Sequence, residues 1–397
     1  MEVLSDSYSL RFANVIRTAY QKTGKGVAVL VDEYDKPLLQ SIGNKELQTQ
    51  LRNVMKPFYG VLKTMDGCIK FAMLTGVTKF GKVSVFSDLN NLKDISMDAR
   101  YAEICGISEK ELHTCFKEEI EELAALNQTT YEAISDELRL NYDGYHFAPH
   151  TTGMYNPFSV LNTLDSMEFG SYWFETGTPT YLVELLQQKD YELEKVDGID
   201  VGEEGLSGVD AADTDAIPVI YQSGYLTIKD YDREFGTYTL GFPNREVERG
   251  FIKFLVPFYT PIRDTQSAFE IKCFVRDVRS GNIDAFFTRL RSFFIDTTYE
   301  LVRELHYSNI LYIVFKLMGF YTQVEYHTAN GRIDLVLKTN DYIYVMEFKL
   351  EGSAAEALAQ INEKGYALPF VGDSRKLYKI GVNFSDSTHT IDKWLVE

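Results

Sequence analysis

Two stretches near the C-terminus put charge where an apolar strand should carry none. Gly331-Arg332-Ile333-Asp334-Leu335-Val336-Leu337-Lys338 is followed, after Thr339-Asn340-Asp341, by Tyr342-Ile343-Tyr344-Val345-Met346-Glu347-Phe348-Lys349. Both runs are rich in β-branched and other apolar residues, as strands are. A two-residue turn at Asn340-Asp341 makes them a hairpin. That register sets Asp334 opposite Glu347, Val336 opposite Val345 and Lys338 opposite Ile343, with opposed side chains about 5 Å apart at Cβ. Glu347 and Lys349, two apart, share that face. Two carboxylates and an ammonium therefore converge on one spot of an apolar sheet, and burying them unpaired is costly. A hard divalent cation, Mg²⁺ or Mn²⁺, held by Asp334 and Glu347 removes the difficulty. Lys349 beside it can orient or help deprotonate a water, or stabilise charge developing on a phosphate. The competing reading is a structural Asp/Glu/Lys salt-bridge cluster, and spacing alone gives the two equal weight.

The next segment shifts the balance. Ser353-Ala354-Ala355-Glu356 is a capping box, with Ser at the N-cap and Glu three later. It opens a helix running to about Ala367, with Gln360 and Lys364 four apart on one face. Taken in order, Gly331-Arg332-Ile333-Asp334, Met346-Glu347-Phe348-Lys349, Ala357 with Gln360-Ile361, and Lys364-Gly365-Tyr366-Ala367 resemble the PD-(D/E)XK nuclease superfamily. More narrowly they are similar to the nuclease domain that follows an AAA-ATPase-like domain in a family of bacterial proteins. The resemblance implies that Asp334 and Glu347 bind metal, that Lys349 assists phosphodiester hydrolysis, and that Gln360 and Tyr366 shape the site. It also implies a further metal contact from a glutamate on the helix before the first strand. Glu304 is the best match and Glu300 the runner-up; an exposed helix acid is the alternative for either.

At 397 residues the chain is long enough for two or three domains with real cores. Its 45% hydrophobic content marks it as globular rather than disordered. The formal charge of −18 is acidic for a nucleic-acid binder, because phosphate contacts supply most non-specific affinity. Any DNA- or RNA-binding surface must be local, or a protein partner or oligomer must help; the overall excess reads as solubility. Cys68, Cys105, Cys115 and Cys273 show no CxxC spacing and read as free thiols in a reducing cytosol, so a cytoplasmic location is expected. No apolar run approaches about 18 residues and the N-terminus lacks a basic-then-apolar leader, so no membrane association is expected.

In the N-terminal part, Ser9 to Thr23 reads as an amphipathic helix ending at Gly24. Val27-Ala28-Val29-Leu30-Val31 is a continuous apolar strand, expected to be central in a parallel sheet. Asp32-Glu33 at its end have the Walker B pattern, in which the Asp holds Mg²⁺ through water and the Glu activates the attacking water. Ile69 to Leu74 is a second apolar strand ending in Thr75-Gly76. The strings Asp32-Glu33-Tyr34-Asp35-Lys36-Pro37 and Phe86-Ser87-Asp88-Leu89-Asn90-Asn91-Leu92 resemble the same AAA-ATPase-like family. That resemblance makes Asp32, Glu33 and Thr75 a nucleotide-binding set, with Thr75 sensing the γ-phosphate. A P-loop is missing. Gly76 through Gly81-Lys82 fits G-x4-G-K, but Val83 stands where the Mg²⁺-binding hydroxyl belongs, and Val83-Ser84-Val85 is a poor helix start. Family members carry that loop upstream of the Walker B strand, so the chain reads as N-terminally shortened, the nucleotide site as degenerate, and ATP hydrolysis by this chain alone is not expected.

The middle opens with a capping box at Ser108-Glu109-Lys110-Glu111 and a helix to about Leu126. Its run Glu118, Glu119, Glu121 and Glu122 reads as a solvated face. Tyr142-Asp143-Gly144-Tyr145-His146-Phe147 and Tyr155-Asn156-Pro157-Phe158 are turn-rich aromatic clusters that match strings of the same family. His146 near Asp143 has the types for acid–base work, but no nucleophile is close and packing is the preferred reading. Gly198 to Asp215 reads as a loop, Ser223 to Ile228 and Tyr238 to Leu240 as strands, and Pro243 to Val247 as a helix start. Further on, Asn282 to Phe294 and Glu300 to Met318 read as helices, Thr322 to Tyr326 as a strand and Leu377 to Asn383 as a last strand.

The expected fold is α/β. It comprises a partial P-loop-NTPase-like parallel sheet in residues 1–110 and a mostly helical extension with short strands in 111–270. A restriction-endonuclease-like α/β domain follows in 271–397. The expected function is metal-dependent nuclease activity on nucleic acid, with Mg²⁺ or Mn²⁺ as cofactor. The alternative is a catalytically silent regulatory or interaction module on a degenerate ATPase scaffold.

Overall fold

A computed structural model describes residues 7–41, 44–77, 89, 91–173, 182, 186, 191–207, 216–260, 262–294, 304–319, 321–329, 332–349, 352–385 and 390–397. At 204, 264, 265, 304–306, 325–329 and 332–334 it describes the backbone alone. The chain divides into two units, the first drawn mainly from residues up to Trp173 and Val196–Arg245, the second mainly from Glu246–Glu397.

In the first unit, helix α1 (Tyr8–Thr23) stops at Gly24, whose φ of 64° is the left-handed conformation that glycine adopts without steric cost. Strand β1 (Val27–Val31), helix α2 (Lys45–Thr64) and strand β2 (Ile69–Leu74) follow. The two strands pair in parallel, Val31 with Leu74 at their C-terminal ends. Among the described residues β1 has this one neighbour rather than the two expected of a central strand. Its Leu30 is 73% exposed although the run is uniformly apolar.

A helical lobe comes next: α3 (Glu109–Cys115), α4 (Lys117–Leu126), α5 (Tyr131–Tyr142) and α6 (Pro157–Ser166). The Ser108/Glu111 capping box is formed, but the single helix expected to reach Leu126 breaks at Phe116. That residue leaves helical geometry at φ −121° and packs its ring on the lobe's core of Leu112, Ile120, Leu123, Leu138 and Tyr142. Packing outweighs helix propensity there. The segment after Gly198 is not all loop. Strand β3 (Ile199–Val201) adds to a three-stranded antiparallel sheet, beside β5 (Thr237–Gly241), which also pairs β4 (Thr227–Asp232). Helix α7 (Ala216–Gln222) ends just before Ser223, so the strand expected from Ser223 begins only at Thr227.

The second unit contains α8 (Arg245–Tyr259), α9 (Asp264–Arg279), α10 (Ile283–Ser292) and α11 (Glu304–Gly319), then β6 (Gln323–Ala329), β7 (Arg332–Lys338) and β8 (Tyr342–Lys349). Helix α12 (Ala354–Lys364) and strands β9 (Lys376–Ser385) and β10 (Thr390–Val396) complete it. The sheet order is β10-β9-β8-β7-β6, with β8 and β9 parallel and the other pairs antiparallel. The parallel step is made by α12, which crosses back over the sheet as a β-α-β connection requires. Strand β10 was not expected, since Leu377 to Asn383 read as the last strand. It alternates apolar and polar residues poorly, and a register shift between Ile391 and Lys393 breaks its period. Helix α12 ends at Lys364 rather than near Ala367, because Gly365 takes φ 69° as its left-handed cap. Among the described residues no helix is long and apolar enough to cross a membrane.

Candidate active site

The β7–β8 hairpin closes as a two-residue loop at Asn340-Asp341, with Thr339 N–H donating to the Tyr342 carbonyl at 2.8 Å. The resulting register pairs Asp334 with Glu347, Val336 with Val345 and Lys338 with Ile343, as expected from the sequence. One face of β8 carries Tyr344, Met346 and Phe348 against the helices; the Tyr344 hydroxyl donates to the Val278 carbonyl of α9 at 2.6 Å. The other carries Val345, Glu347 and Lys349 beneath α12, where Val345 packs with Ile361 and Ala367.

On that face Glu347 is wholly buried, at 0% exposure. Lys349 Nζ lies 3.3 Å from its Oε1 while remaining 21% exposed at the side chain. The Lys349 ammonium also donates to the Gln360 side-chain oxygen of α12. A fully buried carboxylate is tolerated only beside positive charge or strong donors, and the ammonium is one such neighbour. The lysine is thus fixed from two sides, by a carboxylate within its own strand and an amide from the helix above.

Gly381 lets the helix come close enough to do this. It is the β9 partner of Glu347 in register, and a Cβ there would run into the Ala354 carbonyl and the Leu358 amide of α12. Asn383, nine-tenths buried, is the β9 partner of Lys349 and faces the same layer. Neither was singled out in the sequence. The glycine had a signal, since glycine inside an apolar strand marks close approach of another backbone; Asn383 had none.

Asp334 holds the expected register position, but its side chain lies outside the described residues, as does that of Glu304 at the start of α11. Glu300 lies outside them altogether. Tyr366 sits half-buried in the apolar cluster with Val336, Leu358 and Val345. Among the described residues no group of three or more His, Cys, Asp or Glu is poised for a metal. Two carboxylates at adjacent register positions nonetheless match Mg²⁺ or Mn²⁺, which take few protein carboxylates and complete their shell with water and phosphate oxygens.

Of the set expected in the first unit, Asp32 and Thr75 come together and the Glu33 side chain turns away. Thr75 at the end of β2 donates its hydroxyl to Asp32 Oδ1 at 2.5 Å, and Tyr34 N–H donates to the Thr75 carbonyl at 2.9 Å. Glu33 has a φ of 51°, sparsely populated for a non-glycine residue, and pairs with Lys36 at 2.7 Å on the surface. Asp35, not singled out from the sequence, is fully buried and accepts the Val77 amide at 3.2 Å, so the turn after β1 and the turn after β2 are tied together. The Gly81-Lys82 run lies outside the described residues. His146 is pinned rather than poised. Its Nδ1 bonds the Thr151 carbonyl at 2.8 Å and its amide donates to the Thr227 hydroxyl at 2.7 Å, which ties the turn to β4.

Comparison with known proteins finds two domain families in the chain. Residues 302–394 match the PD-(D/E)XK nuclease superfamily model and residues 2–86 match that of the predicted AAA-ATPases. A protein described as an uncharacterized protein in the vnfD 5′ region of Azotobacter chroococcum mcd 1 is 33% identical over 403 residues, covering 98% of this chain and 75% of that relative. No solved structure matches. PD-(D/E)XK nucleases generally use Mg²⁺ or Mn²⁺. The chain belongs to the family that joins an AAA-ATPase-like domain to a PD-(D/E)XK nuclease superfamily domain.

Proposed function

We propose that this protein is a metal-dependent nuclease hydrolysing phosphodiester bonds of DNA or RNA. The observation that carries the reading is Lys349, held 3.3 Å from the buried Glu347 carboxylate and bonded to Gln360. Asp334 and Glu347 would hold Mg²⁺ or Mn²⁺, which when bound lowers the pKa of a water and neutralises phosphate charge. Lys349 places its ammonium beside that water or the phosphate oxygen, and Gln360 keeps it from swinging away. Burial under α12 excludes bulk water from the carboxylate, which strengthens each electrostatic contact there. A silent interaction module is the second reading, favoured by one observation: Glu347 is 0% exposed, so the carboxylate that would hold the metal is closed to solvent.

Cleavage of single- and double-stranded DNA and RNA with Mg²⁺ or Mn²⁺ separates the two. Asp334→Ala, Glu347→Gln and Lys349→Ala should each lower the rate at least about 100-fold, the size expected when metal-assisted hydrolysis loses one participant. Cleavage that survives all three, or none by the parent chain, would remove the nuclease and leave the module.

A further inference from the structure

The second unit carries another concentration of charge and aromatic surface, at the end of the sheet away from Lys349. The starts of β6, β8 and β9 and the C-terminal end of α9 meet there. Arg249 donates to the Tyr321 hydroxyl and stacks its guanidinium 5.3 Å from that ring's centre. Arg279 donates to the Tyr321 carbonyl at 2.6 Å. Two residues later Gly281 passes so close to Tyr342 that a Cβ would lie 2.9 Å from its hydroxyl. Tyr342 stacks 6.0 Å from Tyr378, whose ring carries Lys376 Nζ at 4.5 Å. Arg249, Arg279 and Lys376 are exposed, and Tyr321 is 44% exposed. Of the nearby carboxylates, Asp373 is bound by Arg375, Glu248 is paired with Lys316, and Asp341 stands in the hairpin turn.

The charge of the chain is divided to match. Residues 246–397 hold 18 Lys and Arg against 20 Asp and Glu, a net of −2, so −16 of the −18 falls in residues 1–245. A basic cluster on this nearly neutral unit is a local positive field, which a polyanion requires of an acidic chain. Helix-end cations also complement the dipole of α9, but that accounts for Arg279 and not for Arg249 or Lys376.

We propose that this end of the second unit is a docking surface for single-stranded nucleic acid, with Arg249, Arg279 and Lys376 meeting phosphates and Tyr321 meeting an unpaired base. Cations interleaved with accessible aromatic rings are the pattern that holds single strands, because stacking needs a base freed from its duplex. The inference rests on the nuclease reading for its ligand class. From Tyr342 to Lys349 the strand climbs about 23 Å at about 3.3 Å per residue. At about 3.4 Å per stacked nucleotide that is at least about seven nucleotides between docking surface and scissile phosphate, because Tyr342 shares the Tyr344 face of β8 and Lys349 the opposite face. Strands shorter than this cannot use both.

The test is fluorescence anisotropy on the full chain carrying Lys349→Ala, without divalent metal, using labelled oligothymidylate and oligouridylate of about 6 and about 20 nucleotides and a duplex of the longer length. Arg249→Gln with Arg279→Gln should weaken the longer strand at least about 10-fold and flatten its salt dependence by about 0.7 per cation removed. Lys376→Gln should do the same to a lesser degree, Tyr321→Leu should weaken binding without changing the salt slope, and the shorter strand, which reaches the patch alone, should lose affinity in the same variants. Unchanged affinity for the longer strand in variants with a native circular dichroism spectrum overturns the proposal. So does duplex binding that is tighter and indifferent to Tyr321. Cleavage of the shorter strand by the patch variants with Lys349 intact reads the nuclease site separately. If the parent chain cleaves neither length while long-strand binding is still weakened by the patch substitutions, the catalytic reading falls and the docking surface stands.

Discussion

At the scale of single residues, the site depends on how one flexible ammonium is fixed. Lys349 has a Glu347 carboxylate oxygen at 3.3 Å and the Gln360 oxygen as a second acceptor. Removing the amide should leave the lysine charged but mobile. Gln360→Leu is therefore expected to lower cleavage about 10-fold through a poorly placed lysine, while Gln360→Glu, which keeps an acceptor, should retain more activity. Steady-state kinetics on one oligonucleotide decides this, and equal losses in both variants would show that Gln360 positions nothing. The facing of Asp334 and Glu347 was legible beforehand, because side chains alternate with a period of two and a two-residue turn leaves one register. That Glu347 would be completely buried was not legible. Its exposure depends on a helix arriving from later in the chain.

At the scale of elements, local rules specified where α3 and α12 begin and where α1 stops, while α12 stops three residues before its expected end. Both capping boxes form, Ser108 with Glu111 and Ser353 with Glu356, and Gly24 and Gly365 take the left-handed cap. The same rules missed the break at Phe116, where a ring seeking the core interrupts the helix, and they missed β10. Contact between α12 and the sheet hangs on Gly381, where the helix backbone leaves no room for a Cβ. Gly381→Ala must push the helix outward, at about 1–3 kcal/mol for overpacking. Calorimetry should show a melting temperature lower by several degrees, at about 2–4 °C per kcal/mol, with cleavage falling more steeply than stability as Gln360 is carried off Lys349. Full activity in a destabilised variant would separate packing from catalysis.

For the whole molecule, the net charge of −18 makes pH a direct probe. Arg100 and Lys93 hold Asp98 well below the ordinary carboxylate range, and Arg375 does the same for Asp373. Burial alone would raise the pKa of Glu109, but hydrogen bonds from Tyr155 and His113 outweigh it and leave it lowered. A carboxylate whose folded pKa is lowered stabilises the fold above its unfolded value and stops doing so as pH falls through the folded one. Asp143, raised by burial, has the opposite sign. The melting temperature should therefore fall on acidification below about pH 4. The difference between parent and Glu109→Gln should be clear at neutral pH and close at acid pH; a difference constant with pH would refute the account. Composition and local pattern were enough to establish an α/β chain, strands that end in Asp32 and Thr75, strands that carry Asp334 and Glu347 within them, and the resemblance to a nuclease. Those properties depend on short-range spacing and alternation, which any window of a few residues carries. The Thr75–Asp32 bond, the burial of Asp35 and Glu347, the Gln360 clamp and the cluster of Arg249, Arg279, Tyr321 and Lys376 were decided by tertiary structure alone. Each joins segments distant in sequence, and only the packing of whole elements sets such distances.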